Sequence, residues 1–511
     1  MENSEIVLAL TSLLITLVFF LKLFHGSRRK QNLPPGPKPW PIIGNLHLLG
    51  SVPHISLHEL AQRYGNLMLL KFGSRNVLIA SSPDVAREFL KTNDAIWASR
   101  PELAAGKYTA YNYRDMTWAP YGPFWKQARR IYLNEIFNSK RLDSFEHIRV
   151  EERRNLISRL FAHSGKLICL RDHLTRYTLT SISRTVLSGK YFSESTDNKN
   201  AVITLEKLQN MLDKWFLLNS VINIGDWIPW LAFLDLQGYV KQMKELHRNF
   251  DKFHNFVLDD HKAKKEADQI FLPRDMVDVL LQQAEDPNLE VQLTTDSVKG
   301  LMHDLLAGGT DTSATTVEWA FHELLRQPMI IKKAQEELHR AIGHERWVQE
   351  KDYTQFSYIE SIIKETLRLH PVSTMLPPRT ALEDCHVAGY DIPKGTILMV
   401  NTWSIGRNLQ HWESPGEFIP ERFEGKDIDV TGQHFALLPF GTGRRKCPGY
   451  SLGIRIIRAT LANLLHGFNW RLPHGINPQD ISMDEIYGLT THPKHPLHLI
   501  MEPRLPGYLY K

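Results

Sequence analysis

Only three cysteines, at positions 169, 385 and 447, occur in 511 residues, and no two of them form a C-x-x-C pair. That scarcity excludes a disulfide framework and a structural zinc site, and it suits a body facing a reducing compartment. Charge of one sign is scarce too: 61 basic against 56 acidic residues leave +5, too little to argue for a nucleic-acid partner. Repeats, low-complexity blocks and internal linkers are missing. A rule of roughly 150 residues per domain would suggest several domains, but one large domain is the simpler reading. Nor is there a dinucleotide fingerprint: Gly441-Thr-Gly443-Arg-Arg-Lys446 fails G-x-G-x-x-G at its last position, so no nicotinamide or flavin of the chain's own is expected.

Long uncharged apolar runs are equally rare. The run Ile6 to Leu21 reaches about Phe24 if Lys22 snorkels, close to the ~20 residues that cross a bilayer. Glu2 and Glu5 precede it, whereas Lys22, Arg28, Arg29 and Lys30 follow, which places the body on the cytosolic side. A cleaved secretory signal fits less well, since no basic region precedes the run and no small-residue cleavage site ends it. The expected organisation is a lumenal end (1–5), a transmembrane anchor (6–24), a basic and proline-rich hinge (25–44) and one large domain (45–511). Prolines 34, 35, 37 and 39 stiffen the hinge into an extended strut. Beyond Gly44 the pattern is mostly helical. Short β-runs interrupt it: Leu67–Phe72 and Asn76–Ala80 as a hairpin around Gly73-Ser-Arg, and Thr396–Val400 as another strand.

What is present is chemically pointed. Cys447 stands in Phe440-Gly-Thr-Gly443-Arg-Arg445-Lys-Cys447-Pro-Gly449. A solitary cysteine is usually an inert small hydrophobe, yet this one is set among glycines and cations. Pro448 suits the first position of a helix, so the sulfur is expected at a helix N-terminus in a positive field, as a thiolate ligand of haem iron needs. Gly441, Gly443 and Gly449 leave backbone without Cβ where a flat macrocycle must pass, Phe440 can shield the sulfur, and Arg445 can meet a propionate.

Read as F-x-x-G-x-R-x-C-x-G, this run resembles the haem-binding signature of the cytochrome P-450 haem-thiolate monooxygenases, and other motifs follow in that family's order. Ala307-Gly308-Gly309-Thr310-Asp311-Thr312-Ser313, in a helix expected over Thr295–Arg326, resembles its oxygen-activation motif, with serine last as a mild departure. The resemblance makes Asp311 and Thr312 the organisers of proton delivery. Adjacent glycines there cost on the order of 2 kcal/mol relative to alanine, so the bland alternative is close helix packing with a solvated Asp311. Glu365-Thr-Leu-Arg368 with Arg422 of Pro420-Glu-Arg-Phe423 looks like the family's buried triad; read alone it is a surface pair worth about 0.2–0.5 kcal/mol. Trp125 and Arg129 of the helical run Phe124–Tyr132 resemble W-x-x-x-R, and Arg379 stands where the family places a propionate-binding residue; indole and guanidinium donors suit carboxylates. The hinge is similar to that of microsomal members, plant A-type ones above all.

The resemblance implies an α+β, mostly helical fold with small antiparallel sheets behind one transmembrane helix. It also implies haem b, dioxygen, a lipophilic substrate, membrane lipid and electrons from an NADPH-dependent reductase. The expected site is the endoplasmic reticulum membrane, single-pass, with the catalytic domain cytosolic. Arg444 and Lys446 are either docking charges for the reductase or ordinary solvated ones. The substrate class is a terpenoid or phenylpropanoid/flavonoid-type metabolite. Recognition is expected from Pro101–Trp118, Trp215–Leu236, Asp304, Ala307, Val372–Leu376 and Gly488–Thr491. Tyr108, Tyr111 and Tyr113 either line an aromatic-friendly pocket or pack a loop. The alternatives are a haem-thiolate isomerase or lyase, which needs no Asp311-Thr312 relay, a haem sensor, and a serine hydrolase. The last rests on Gly449-Tyr-Ser451-Leu-Gly453, which fits G-x-S-x-G with Asp480 and His492 downstream but lacks the strand that motif requires.

Overall fold

The apolar runs near residue 70 become β1 (Leu67–Phe72) and β2 (Arg75–Ala80), an antiparallel hairpin in register from Leu67↔Ala80 to Phe72↔Arg75. The second strand begins one residue earlier than expected and leaves Gly73-Ser74 as the turn. Glycine is required there, because its φ is +55° and a Cβ would lie 2.2 Å from the Trp227 carbonyl oxygen. A short β3 (Arg379–Thr380) pairs antiparallel with β4 (Ile397–Val400), and β4 pairs in parallel with β2. The sheet order is therefore β1-β2-β4-β3. A parallel pair needs a crossover, here most of the chain, so this sheet ties the N-terminal part to the segment leading into the cysteine loop.

The computed structural model describes residues 11–12, 16, 32–189, 191–193, 202–267 and 272–511. The expected lumenal end 1–5, residues 25–31 of the hinge and, apart from residues 11, 12 and 16, the anchor 6–24 lie outside the described residues. Among those described, no helix is long and apolar enough to cross a membrane. Residues 32–39 form neither helix nor strand, and the segment is docked and not a free strut. The Pro35 carbonyl accepts from Leu69 N–H at 2.8 Å, and Asn45 N–H donates to the Lys71 carbonyl at 2.6 Å. Proline cannot donate, yet its carbonyls still accept, so the segment covers an exposed strand edge.

Helices carry most of the rest, the long ones near the site being α1 (Pro123–Ile131), α2 (Glu146–Ala162), α3 (Leu170–Leu187), α4 (Leu205–Leu218), α5 (Tyr239–Ala267), α6 (Thr295–Arg326), α7 (Ser357–Leu369) and α8 (Tyr450–Gly467), beside smaller two- and three-stranded sheets. α6 has the boundaries its pattern predicts. Thr294 caps it, accepting from Ser297 N–H at 3.2 Å, and it runs through the core between α3 and α8. Its buried hydroxyls bond back to the helix, Thr310 to the Ala307 carbonyl at 3.0 Å and Thr316 to that of Thr312 at 2.8 Å, which is how a polar sequence is tolerated there. α8 differs from expectation. Gly449 is its cap and Pro448 stands outside it, because Cys447 N–H is already bonded to the Phe440 carbonyl at 2.9 Å and the first helical bond is Gly453 N–H to the Gly449 carbonyl.

Candidate functional site

The cysteine loop is built on two left-handed glycines, Gly441 at φ +62° and Gly443 at +70°. Gly443 is not open to a macrocycle as expected: a Cβ there would lie 2.5 Å from the Leu90 carbonyl oxygen and 2.7 Å from Asp94 Oδ1. What it admits is Asp94, whose carboxylate accepts from Arg444 N–H at 2.9 Å and from the Arg379 guanidinium at 3.0 Å. The fold thus places the Cys447 sulfur deep in the protein, where the surface it exposes faces a cavity. Burial pushes the thiol up; the Gly449 N–H, Arg129 and Lys446 act in the opposite sense, as donors to a thiolate should. A bound metal ion would complete the deprotonation.

That cavity, of about 210 Å³, runs between Cys447, Phe440 and Leu452 on one side and Gly308, Gly309 and Thr312 of α6 on the other. The adjacent glycines do different work. A Cβ on Gly308 would meet nothing within 4 Å, so glycine leaves the space over the cavity free, whereas one on Gly309 would lie 2.6 Å from Ile182 of α3. Gly309 is thus explained by helix packing, while Gly308 leaves open the space that a ligand beside it would need. Thr312 Oγ1 donates to the Gly308 carbonyl at 3.0 Å and faces the cavity.

Beside it the chain gathers buried guanidinium groups. Arg445 lies 4.3 Å from the Trp125 ring centre and donates to the carbonyls of Ala98, Met116 and Ala119 at 2.7, 3.3 and 2.6 Å. Arg379 binds Asp94 and the Thr442 carbonyl, and Arg129, whose charge is felt at Cys447, has no hydrogen-bond acceptor among the described residues. Arg100 belongs to the same cluster; it donates to Thr117, Pro377 and Pro378 carbonyls, and nothing in its loop sequence singled it out. Burial first, then mutual repulsion, pushes Arg445 down to about 7 and Arg100 down to about 9. Since guanidinium groups stay protonated in proteins, such strain marks a site short of anions. The two propionates of a haem whose iron meets Cys447 fit that deficit, and the donor set fits the group.

Asp311 and Thr312, expected to act together, face different spaces. One residue along a helix turns roughly 100°, so Thr312 faces the cysteine cavity and Asp311 faces a separate cleft of about 740 Å³ with many charged side chains in its lining. There His492 Nε2 lies 3.0 Å from Asp311 Oδ2. The sequence marks His492 only as a hydrolase candidate. That alternative fails here, since Ser451 lies in the first turn of α8 after a loop, with no strand before it, and His492 is paired with Asp311.

Glu365, Arg368 and Arg422 are not a surface pair. Arg368 and Glu365 are fully buried and joined twice, at 2.6 and 2.7 Å, and Arg422 Nε reaches Glu365 Oε1 at 2.9 Å. The remaining Arg368 donors go to the carbonyls of Gly406, Pro415 and Glu417 at 2.6, 2.7 and 2.9 Å, so all five N–H groups are used.

Of the expected recognition residues, Met116, Thr117, Asp304 and Val372 line the cysteine cavity. Asp304 braces the loop, accepting from Met116 N–H at 2.8 Å and from Thr117 N–H and hydroxyl at 3.0 and 3.1 Å. Gly488 and Thr490 line the Asp311 cleft, Ala307 is in the core, and Trp215 packs on His303 with ring centres 5.0 Å apart. The tyrosines pack the loop: Tyr111 bonds His254 Nδ1 at 2.9 Å, Tyr113 the Leu103 carbonyl at 3.0 Å, and Tyr108 lies under Lys244. Arg444 is ion-paired with Asp94 at 3.0 Å, and Lys446 sits 3.6 Å from the Tyr450 ring centre.

Comparison with known proteins agrees with this geometry. The profile of the family described as Cytochrome P450 matches residues 34–500. A trimethyltridecatetraene synthase of Zea mays is 41% identical over 99% of this chain and 95% of its own length. A flavonoid 3'-monooxygenase of Petunia hybrida is 40% identical over the whole of both. Among solved structures, a zebra fish cytochrome P450 with abiraterone superposes with a TM-score of 0.75 at 25% identity, covering 89% of this chain and all of that one.

Proposed function

The chain belongs to the cytochrome P450 family, and from that premise we propose that it is a membrane-bound monooxygenase of a lipophilic specialised metabolite, terpenoid in preference to flavonoid. It is an oxidoreductase that takes haem b as cofactor and uses dioxygen with electrons from NADPH through a separate reductase. When bound, the haem supplies the oxygen-activating chemistry, which a cysteine thiolate ligand favours by pushing electron density toward O–O cleavage. The chain's own residues do the remaining work. Cys447 is the ligand, steadied by the Gly449 N–H; Arg129, Arg379, Arg445 and Arg100 supply positive charge for the carboxylates, with Trp125 packed on Arg445. Thr312 offers a hydroxyl to the reacting side, and Gly308 leaves it space.

The observation that carries this reading is the buried Cys447 sulfur facing Gly308 and Thr312 across one cavity, beside guanidinium groups short of anions. Thr312→Ala is expected to keep haem but divert electrons, raising peroxide per NADPH several-fold at the expense of product. An unchanged product-to-NADPH ratio would remove Thr312 from the proton path. For the substrate, the cavity presents Met116, Ile182, Val186 and Leu305, Asp304 is occupied, and the loop tyrosines are turned elsewhere. One relative is named for a branched tetraene and another for a flavonoid. A difference-spectrum screen of the reconstituted enzyme is expected to find terpenoid ligands first. No oxygen uptake above reductase alone, across both classes, would count against the reading.

The membrane part rests on an exposed apolar face. Trp230, Phe233 and Leu236, at 63, 81 and 60% exposure, project between α4 and α5. This segment is tied to the β1–β2 turn by Ser74 N–H to the Trp227 carbonyl at 2.9 Å, and Trp40 and Ile42 lie exposed beside the Gly44–Phe72 bridge. Such a patch marks a membrane or protein contact. With the apolar run 6–24 and the positive charges after it, it favours an anchored protein of the endoplasmic reticulum with the body cytosolic. Residues 32–511 alone are expected to sediment with vesicles and to be released by Trp230→Glu/Phe233→Glu; equal retention of both forms would dismiss this face.

A further inference from the structure

The cleft behind α6 has no part in the site as described so far, yet it contains His492, which stands between solvent and Asp311. Asp311 is 8% exposed and His492, against it, is 27% exposed, so water in the cleft reaches the carboxylate through the imidazole. His492 is held on both nitrogens: Nε2 is 3.0 Å from Asp311 Oδ2, and Nδ1 is 3.1 Å from the Thr315 hydroxyl, one turn along the same helix. At 3.0 Å the His492–Asp311 contact is close enough to pass a proton, and it is the one contact that Asp311 Oδ2 makes among the described residues. The other titratable groups facing the cleft are Arg159 of α2 and His163 just after it, Arg171, Asp172, His173 and Arg176 of α3, Glu206 and Asp213 of α4, Glu318 of α6, and Tyr487. Arg171 and Glu318 are bound to each other at 2.8 Å, and Asp213 accepts from Gln209 at 2.7 Å. That leaves His492 as the base in contact with Asp311. Burial and Arg171 disfavour its charged form, but Asp311 and Glu318 outweigh them, so the imidazole is held above its ordinary range.

We propose that His492 is the positioning residue of the proton path, an imidazolium that holds Asp311 toward the cleft and passes it protons from cleft water for delivery to the Thr312 side. In each passage the Nε2–H bond breaks as an Asp311 O–H bond forms. The neutral imidazole then regains a proton from water, and no electron moves. The inference rests on the reading of Asp311 and Thr312 as the proton-delivery pair.

The sign of the pH dependence follows. Below its raised pKa His492 is charged and Asp311 is held; as pH rises through that value the pair is lost. Product formed per NADPH should therefore fall along an alkaline limb centred above the ordinary ~6.5 of histidine. His492→Gln, with haem content checked by the carbon-monoxide spectrum, should lower coupling several-fold, raise peroxide and abolish that limb. A second readout needs no turnover. In selectively labelled protein, the histidine ring signal missing from H492Q should titrate above ~6.5 and move down toward that value in Asp311→Asn. If Asp311→Asn and Thr312→Ala leave coupling intact, the delivery pair itself is wrong and this inference goes with it. If they uncouple the enzyme while H492Q keeps wild-type coupling and pH profile, or if the ring titrates at or below ~6.5, the role of His492 alone is overturned.

Discussion

Cys447→Ser is expected to give a folded protein without the carbon-monoxide difference band typical of thiolate-ligated ferrous haem, and with monooxygenase activity reduced by orders of magnitude. The loop does not depend on the sulfur for its shape. Its conformation comes from the left-handed Gly441 and Gly443 and from the Cys447 N–H bond to the Phe440 carbonyl at 2.9 Å, all of which serine retains. What serine cannot retain is the anion. Burial already raises the thiol, and a hydroxyl starts far less acidic, so the Gly449 N–H and Arg129 would face a neutral oxygen that donates little charge. Retention of the band in C447S would end the ligand assignment, and loss of the fold would contradict the account of the loop.

Arg368→Ala should have the largest effect on stability. Removing this guanidinium leaves Glu365, with a fully buried side chain, facing only Arg422 and the Ile419 N–H, strands the carbonyls of Gly406 and Pro415, and leaves that of Glu417 with Arg422 alone. Breaking a buried pair from one side costs about 3–5 kcal/mol, against a total stability of about 5–15 kcal/mol. The variant should therefore fail to accumulate as haem-containing protein, or melt far below the wild type. Arg368→Lys should do little better, since an ammonium cannot reproduce five donors in a planar fork. Lys333→Ala is the control. Lys333 makes two ion pairs at 3.0 Å, to Glu421 and Glu424, but all three groups are exposed, and its loss should cost less than about 1 kcal/mol. Near-equal melting of R368A and K333A would show that the trio does not lock the core.

Much of this was legible locally. The hairpin was readable because alternation and a glycine turn act within a few residues, and α6 because its period persists from Thr295 to Arg326. The start of α8 was misjudged: Pro448 suits a first helical position, but hydrogen bonds around Cys447, one of them to Phe440, outcompete it. Gly443 was assigned to the cavity when its space is taken by Asp94, a residue far away in the chain. Arg100 escaped notice because an arginine in a loop carries no periodic or spacing signal. It counts only once three other guanidinium groups lie beside it.

By itself the sequence determined the thiolate loop, the order of motifs, the helical class and the identity of the residues able to hold a haem, because each is written in short spacings that elementary chemistry can read. Only the tertiary structure decided which way those residues face. It turned Thr312 to the cysteine cavity and Asp311 away to His492, buried the Glu365–Arg368 pair that propensity alone would leave in water, and withdrew the loop tyrosines from the cavity. The physical reason is that orientation, burial and charge deficit belong to sets of residues brought together across hundreds of positions. Spacing along the chain specifies a residue's chemistry, and packing alone specifies what that chemistry meets.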